Sequence, residues 1–299
     1  MFEPSLPLTV CAAAAFDVAY ALSAGTLLNR LWLGNGRSLA GDRRLRHCLA
    51  GYSLLMLVAA PLQLIILAGS MTGDLSWGLA WSSLPDVVTT HAGRAVTMSF
   101  CFVPLLLLLS FLPSAFSRRA GVWMGIALVL GITASRAILG HAAADGDFTL
   151  RELIQFLHLS SIAVWGGGVA IAGLVVVPHL AETSNTEAVI GLGKRLSRTV
   201  TIALIVVVLS GVYNAWRGLG HSVAPLPRTG WGRTLIVKVA MVLLALSLGS
   251  RVRLLVWDKG RSRPDRVVLI KRWLRIEAWL MISVLILSAW LASLPPAEM

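Results

Sequence analysis

Charged residues are scarce in this chain of 299 residues. Asp, Glu, Lys and Arg make up 13% of it, whereas hydrophobic residues make up 57%. Because a soluble domain carries about 25% charged residues, the composition excludes an ordinary water-soluble globular protein. Together with a mean hydropathy of +0.78, it predicts an all-α, polytopic membrane helical bundle.

Cysteines and catalytic signatures are also rare or missing. The three cysteines, Cys11, Cys48 and Cys101, lie far apart and form no CxxC pair, so neither a cysteine metal cluster nor a disulfide framework is expected. The sequence contains no GxxxxGK[ST] motif for ATP, no GxSxG and no HExxH. We therefore expect a protein that is not an enzyme and does not hydrolyse ATP itself.

Acidic residues are few, 14 against 26 Lys and Arg, but the resulting net charge of +12 does not indicate nucleic-acid binding. The basic residues gather in short connections between apolar runs, where they act as topology signals next to membrane lipid. A span needs about 20 apolar residues. About eight spans are predicted, near 8–33, 45–70, 86–112, 120–141, 150–178, 196–219, 230–256 and 272–294.

The basic connections set the orientation that we expect. By the positive-inside rule, these connections of a bacterial inner-membrane protein lie on the cytoplasmic side. They span residues 34–46, 113–119, 179–195 and 257–271. Both termini are then periplasmic. The first residues, MFEPSLPL, lack the basic stretch of a cleaved signal peptide, so we expect the first span to direct insertion.

A short motif recurs and predicts a parallel 4+4 pseudo-repeat. The pattern T-x-x-G-R opens span three at Thr90 and span seven at Thr229, and aligning span one with span five places Asp17 on His158. The halves would be residues 1–139 and 140–299, with any site at their interface. Chance similarity is the alternative.

Span five carries the strongest candidate site. Thr149 and Glu152 form a T-x-x-E capping box at its start. Beyond it, a helical stripe at i, i+3, i+4 and i+7 contains His158, Ser161, Ile162 and Trp165. The glycines that follow, Gly166, Gly167 and Gly168, let another helix approach closely. We interpret the stripe as a pocket wall with His141 near its entrance, or alternatively as one satisfied core histidine.

Two further groups suit a cation pathway. Asp17 lies at about the depth of His158, and an ion pair with Arg94 or Lys238 is predicted for it; such a pair could also serve only to orient helices. His91 and Met98 are seven residues apart in span three and share a helix face. Imidazole and thioether together suit copper, although this spacing also occurs by chance.

The stretch that contains His141, His158 and Trp165, with the segments that follow it, resembles the CopD/PcoD family of bacterial copper-resistance membrane proteins. The resemblance rests on an ordered series of patches, strongest over about 140–296 and looser over 1–139. They read GHAAADGDFTLRELIQFLHLSSIAVWGGG, RLSRTVTIALIVVVLSGVYNAWRGL, TGWGRTLIVKVAMVLLALSLGSRVRL and RIEAWLMISVLILSAWLASLPPA.

The resemblance implies copper transport across the inner membrane, in copper homeostasis or resistance. It implies that His141 and His158 match the family's histidines and Trp165 its tryptophan. It also implies a separate CopC-like periplasmic copper-binding partner. Two alternatives stay open. Two facing histidines in a helical bundle could hold haem b in an electron carrier, and a copper-binding assembly or sensor protein would not transport the metal.

Overall fold

The computed structural model describes residues 6–34, 39–72, 77–139, 149–258, 260 and 262–295, and within them the chain forms helices and no strand. Eight helices are long and apolar enough to cross a membrane, as predicted. We number them α1 (Leu6–Leu33), α2 (Leu39–Thr72), α3 (His91–Phe111), α4 (Arg119–Ala137), α5 (Leu150–Glu182), α6 (Thr186–Gly218), α7 (Gly230–Trp257) and α8 (Arg263–Ser293). Short helices at Trp77–Ser82, Leu84–Thr89 and Pro113–Ser117 join neighbouring spans.

Two helices begin well before the predicted spans. α6 starts at Thr186 and α8 at Arg263, where the apolar runs predicted starts near 196 and 272. Both early turns have polar N-caps: Asn185 accepts from the Ala188 N–H, and Ser262 accepts from the Asp265 N–H. Hydropathy marks only the part of a helix that lies in lipid, whereas capped helical hydrogen bonding continues into water.

α1 lies at the centre of the bundle. It packs against α2, α4, α5 and α8, and its residues Ala19, Ala21 and Leu27 are fully buried. Small residues dominate its middle, which lets neighbouring backbones come close. The first and second halves of the chain are therefore packed together through α1.

The crossing of α1 and α5 is made by glycine. A Cβ on Gly25 would overlap the Gly167 carbonyl, and a Cβ on Gly167 would overlap the Ala21 carbonyl. Just below the crossing, the Asn29 amide donates to the Gly25 carbonyl (2.8 Å) and to the Gly168 carbonyl (3.0 Å). The crossing is thus fixed both by backbone contact and by a polar side chain.

α5 is not a uniform α-helix. Two π-helical turns interrupt it, at Ala163–Gly167 and at Ala172–Val176. Single π turns inside α-helices are rare and occur frequently at functional sites. The first of them contains Trp165 and lies at the crossing with α1.

The repeated T-x-x-G-R motif has one local structure in both places. Thr90 and Thr229 are N-caps whose hydroxyl oxygens accept from the N–H of Gly93 and of Gly232, each at 3.0 Å. A Cβ on either glycine would overlap the carbonyl oxygen six residues earlier, on Val87 or on Leu226. The two helix starts are alike, and the 4+4 pseudo-repeat as a whole stays a prediction.

The opposite end of the bundle is rich in cations that have packing partners. Arg266 is buried and donates to the carbonyls of Leu255 and Val256, the last turn of α7. Lys194 lies over the Trp257 ring at 5.1 Å and Arg251 over the Trp273 ring at 5.0 Å. Such Trp and cation pairs are typical of a membrane interface.

Candidate functional site

The side chain of His158, a residue of α5, faces α6. Its Nδ1 is 2.9 Å from the hydroxyl oxygen of Ser210, and a Cβ on Gly211 would meet its Cε1 at 3.4 Å. The absence of a side chain at Gly211 therefore leaves room for the ring against the α6 backbone. The imidazole is partly buried, about 12 Å from the start of α5 at 1.5 Å per residue.

The hydrogen bonds of Ser210 favour one tautomer of His158. The Ser210 hydroxyl donates to the Val206 carbonyl at 2.5 Å, and a hydroxyl has a single proton to donate. Its oxygen is then placed to accept from the Nδ1–H of His158. In that tautomer the neutral ring carries its proton on Nδ1, and Nε2 has the lone pair that a ligand needs.

Polar groups surround this imidazole on neighbouring helices. One turn outward, the Asn214 amide donates to the Gln155 carbonyl oxygen at 2.9 Å, which ties α6 to α5 a second time. From α7, the ammonium group of Lys238 interacts electrostatically with the His158 ring.

Deeper in the bundle, Trp165 contacts a buried carboxylate. The Trp165 indole, only 1% exposed, faces the side chain of Glu277 in α8, which is 3% exposed. The Glu277 carboxylate also fills the space beside Gly249 of α7, where a Cβ would lie 2.9 Å from its Oε1. An acidic group at this depth is costly and, in membrane proteins, marks ion pathways.

Asp17 forms its ion pair with a residue other than the two predicted partners, Arg94 and Lys238. Its Oδ1 accepts from Nη2 of Arg136 in α4 at 2.7 Å, and Arg136 also donates to Gln63 of α2 at 3.0 Å. The prediction of Arg94 or Lys238 was wrong. Arg94 is exposed and folds back to the Thr89 carbonyl at the start of α3, and Lys238 interacts with His158 instead.

Tyr20 lies between the Asp17 group and His158. Its hydroxyl is 2.6 Å from Oγ1 of Thr133 in α4 and donates to the Leu159 carbonyl of α5 at 3.4 Å. Leu159 directly follows His158, so α1, α4 and α5 are joined at the level of the imidazole. Asp17 lies one turn before Tyr20 on α1, and Tyr20 in turn reaches the backbone next to His158.

The remaining predicted residues are distributed differently. His91 is exposed and Met98 is 42% exposed, so the surface of α3, which packs on α2 and α4, carries both. Ser161 is partly buried. His141 lies outside the described residues, so its position relative to His158 stays a prediction.

The glycines after Trp165 each face a different neighbour. Gly167 contacts the α1 backbone at Ala21, a Cβ on Gly166 would lie 3.2 Å from Met281 of α8, and a Cβ on Gly168 would lie 3.1 Å from the Trp32 ring. Three consecutive glycines at the π turn therefore face three different neighbours. In this region α5 is packed against other helices on several sides.

Sequence reasoning missed Ser210, Tyr20 and Arg136 as partners of the candidate residues. Ser210 interrupts the apolar run VVVLSG of α6 at nearly the depth of His158. This similar depth could have predicted that the two side chains meet. Within the described part of the chain, no group of three or more His, Cys, Asp or Glu side chains is arranged to hold a metal ion. A metal at His158 would therefore have few protein ligands from these residue types there.

Two family descriptions match the chain. "Copper resistance protein D-like, N-terminal domain" matches residues 1–151, and "Copper resistance protein D" matches residues 190–291. The matched segments contain α1–α4 and most of α6–α8. Together they include Asp17, Ser210 and Glu277 but not His158.

Curated relatives are similar over most of this chain. The copper transport protein CutJ of Bacillus subtilis (strain 168) is 29% identical over 295 residues, 97% of this chain and 53% of that protein. The copper resistance protein D of Pseudomonas syringae pv. tomato is 26% identical over 269 residues, 84% of each chain. The chain thus spans about half the length of the Bacillus protein. No solved structure matches it.

Proposed function

Because this chain belongs to the copper resistance protein D family, we propose that it carries copper across the bacterial inner membrane, contributing to copper resistance or homeostasis. In this proposal the protein is a carrier and not an enzyme. Eight apolar helices make it a multi-pass membrane protein. The relatives from Bacillus subtilis and Pseudomonas syringae, named for copper transport and copper resistance, support the choice of metal.

The observation that carries this proposal is the hydrogen-bonded imidazole of His158. Ser210 holds Nδ1 in its protonated form, which is how metal-binding histidines are usually fixed, by a partner on the other ring nitrogen. The free Nε2 suits copper, because imidazole is a good ligand for it. Copper entering from the periplasmic side meets this nitrogen in the outer half of the bundle.

The route inward continues to Glu277. Trp165 is seven residues beyond His158, about 10 Å deeper, and its indole contacts the Glu277 carboxylate. Beyond His158, the Glu277 carboxyl group offers oxygen ligands nearer the middle of the membrane. A second set of ligands deeper in the bundle is what a transport pathway requires for a cation leaving His158.

The source of the copper is a further part of the proposal. A CopC-like periplasmic protein would deliver it, and His141, in the 140–148 segment between α4 and α5, would receive it first. The His91 and Met98 pair is on the α3 surface, where a side entrance would be needed to reach His158. We therefore rank His141 above that pair as the entry ligand.

Copper flux tests the proposal. The purified protein is reconstituted into liposomes, copper entry is measured, and wild type is compared with His158→Ala. His47→Ala is the matched control, because His47 is exposed on α2. We expect wild-type copper flux above that of empty liposomes. Because His158→Ala removes one good ligand, its flux should fall at least about tenfold, whereas the flux of His47→Ala should not change.

Three results would contradict it. Equal flux in His158→Ala and wild type would remove His158 from the pathway. Copper bound stoichiometrically by a wild type that shows no flux would support a non-transporting assembly or sensor protein. A red protein with a haem spectrum would support the electron-carrier alternative.

A further inference from the structure

A cavity of about 450 Å³ opens at the end of the bundle that we predict to be cytoplasmic. It lies where α1 ends and α4 begins, and α6 passes beside it. Its lining consists of Arg30, Leu31, Trp32, Gly34, Arg119, Val122 and Arg195. Three arginines from three different helices therefore face one space.

Arg30 forms the fixed base of this cavity. It is 5% exposed, and its Nε lies 3.0 Å from Oδ1 of Asp42. Its Nη1 donates to the Gly34 carbonyl at 3.2 Å, and its Nη2 to the Ser117 carbonyl at 2.6 Å. A guanidinium has five N–H donors, so these contacts hold it in place and leave two donors for a ligand.

Arg119 and Arg195 supply the uncompensated charge. Both are exposed, and neither has an ion-pair partner in the part of the chain that the structure describes. A Cβ on Gly34 would lie 4.0 Å from Nη1 of Arg195, so the α6 arginine reaches across to the end of α1. Asp42 pairs with Arg30, so Arg119 and Arg195 supply the positive charge at the mouth of the cavity.

The start of α4 adds backbone donors. Its N-cap is Arg118, and no side chain accepts from its first turn. The free N–H groups at a helix N-terminus favour an anion, and here they adjoin the arginines of the cavity. Guanidinium groups bind phosphate oxygens in a bidentate manner that ammonium groups cannot match.

The other walls are apolar. Leu31, Trp32 and Val122 line the same space, and it opens at the level where the membrane-spanning part of α1 ends. A ligand that satisfies both surfaces carries a phosphate and hydrocarbon. A soluble phosphate would leave the apolar wall in water.

We propose that this cavity binds the phosphodiester headgroup of an anionic phospholipid, with Arg119 and Arg195 on its oxygens and Arg30 beneath it. Basic pockets between membrane helices on the cytoplasmic side bind such headgroups in general. The ring of Trp32 connects the site to α5, because it also packs at Gly168 between the two π turns. The proposal does not depend on copper transport.

Lipid titration of the full-length protein in detergent tests this site. Native mass spectrometry measures binding of phosphatidylglycerol and, in parallel, of phosphatidylcholine. The test variant is Arg119→Gln with Arg195→Gln. The control is Arg43→Gln with Arg275→Gln, which removes two exposed charges from the same predicted side without touching the cavity lining.

We expect phosphatidylglycerol to bind the wild type in preference to phosphatidylcholine. Its affinity should fall about tenfold in the test variant, a loss of about 1.4 kcal/mol, and stay unchanged in the control. A third variant, Arg119→Lys with Arg195→Lys, keeps the charge and should bind with intermediate affinity. It also provides the measurement if the glutamine variant fails to fold.

Three outcomes would overturn the proposal. Equal loss in test and control variants would show a diffuse charge effect. Equal binding of the two lipids would show that the cavity does not select a headgroup with a net negative charge. Full displacement of phosphatidylglycerol by an equal concentration of inorganic phosphate would assign the cavity to a soluble anion.

Discussion

The two ring nitrogens of His158 have different environments, and this difference makes the residue a candidate ligand. Nδ1 faces a serine whose own proton is already donated to the Val206 carbonyl. The contact with Ser210 is made by Nδ1 alone, which leaves Nε2 as the nitrogen that we propose for the metal. A histidine that served only to satisfy the core would be expected to use both nitrogens.

Replacing Ser210 by Ala tests this arrangement directly. The variant removes the acceptor for Nδ1–H, so the ring loses both its fixed tautomer and its orientation. We expect copper affinity to fall by about 10- to 100-fold, as for other partners of metal-bound histidines. Isothermal titration of the purified protein measures it.

Ser283→Ala is the matched control for this experiment. Ser283 lies in α8, donates to the carbonyl four residues earlier at 3.1 Å and is exposed. It therefore has the same backbone bond as Ser210 without a histidine. Equal copper affinity in wild type and Ser210→Ala would show that Ser210 does not position His158.

At the scale of the element, α5 combines a capped start with a rearranged middle. Thr149 accepts from the Glu152 N–H at 3.3 Å, as the capping-box pattern predicts. The stripe from His158 to Trp165 is divided, since His158 faces α6 and Trp165 faces α8. A π turn holds more residues than an α turn, so the regular i, i+7 register ends at Ala163.

The close crossing of α1 and α5 makes a second prediction. In Gly167→Ala the new methyl overlaps the Ala21 carbonyl, and because backbone atoms cannot rotate away, the helices must separate. We expect a loss of about 1–3 kcal/mol in stability, measured as a lower midpoint of thermal unfolding in detergent.

Gly191→Ala provides the comparison within the same chain. Gly191 lies in α6, and a Cβ there would meet nothing within 4 Å. Alanine is favoured over glycine in a helix by about 0.5–1 kcal/mol, so this variant should be neutral or more stable. If Gly167→Ala unfolds at the same temperature as Gly191→Ala, the crossing is looser than described.

At the scale of the whole molecule, the distribution of cations predicts which side faces the cytoplasm. A reporter inserted at residue 260, between α7 and α8, should be active as a cytoplasmic fusion, and one inserted in the 220–229 connection should be active as a periplasmic fusion. Green fluorescent protein and alkaline phosphatase give the two readouts. Alkaline phosphatase activity at 260 would invert the topology and place His158 in the inner half of the membrane.

The number and type of the helices could be predicted because hydropathy and length are local properties of the sequence. The caps at Thr90, Thr149 and Thr229 are local as well. The partner of Asp17 is not local. Arg136 is 119 positions away, and its selection over Arg94 depends on how α1 and α4 pack, which no spacing in the sequence specifies.

The candidate site was predictable in part for the same reason. His158 stands out as a single imidazole in an apolar run, and Glu277 as an acid within a span. That Ser210 and Lys238 converge on His158, and that Trp165 reaches Glu277, follows from the arrangement of four helices around α5. The π turns have no signal in the sequence beyond the glycines.

The bound metal and the visible spectrum of the purified protein test the central claim most directly. Wild type and His158→Ala are purified in detergent after growth with copper, and metal content is measured together with absorbance. We expect copper in the wild type, little or none in the variant, and no haem absorption in either. Copper retained in full by a folded His158→Ala protein, or a haem band that disappears with the histidine, would contradict the account.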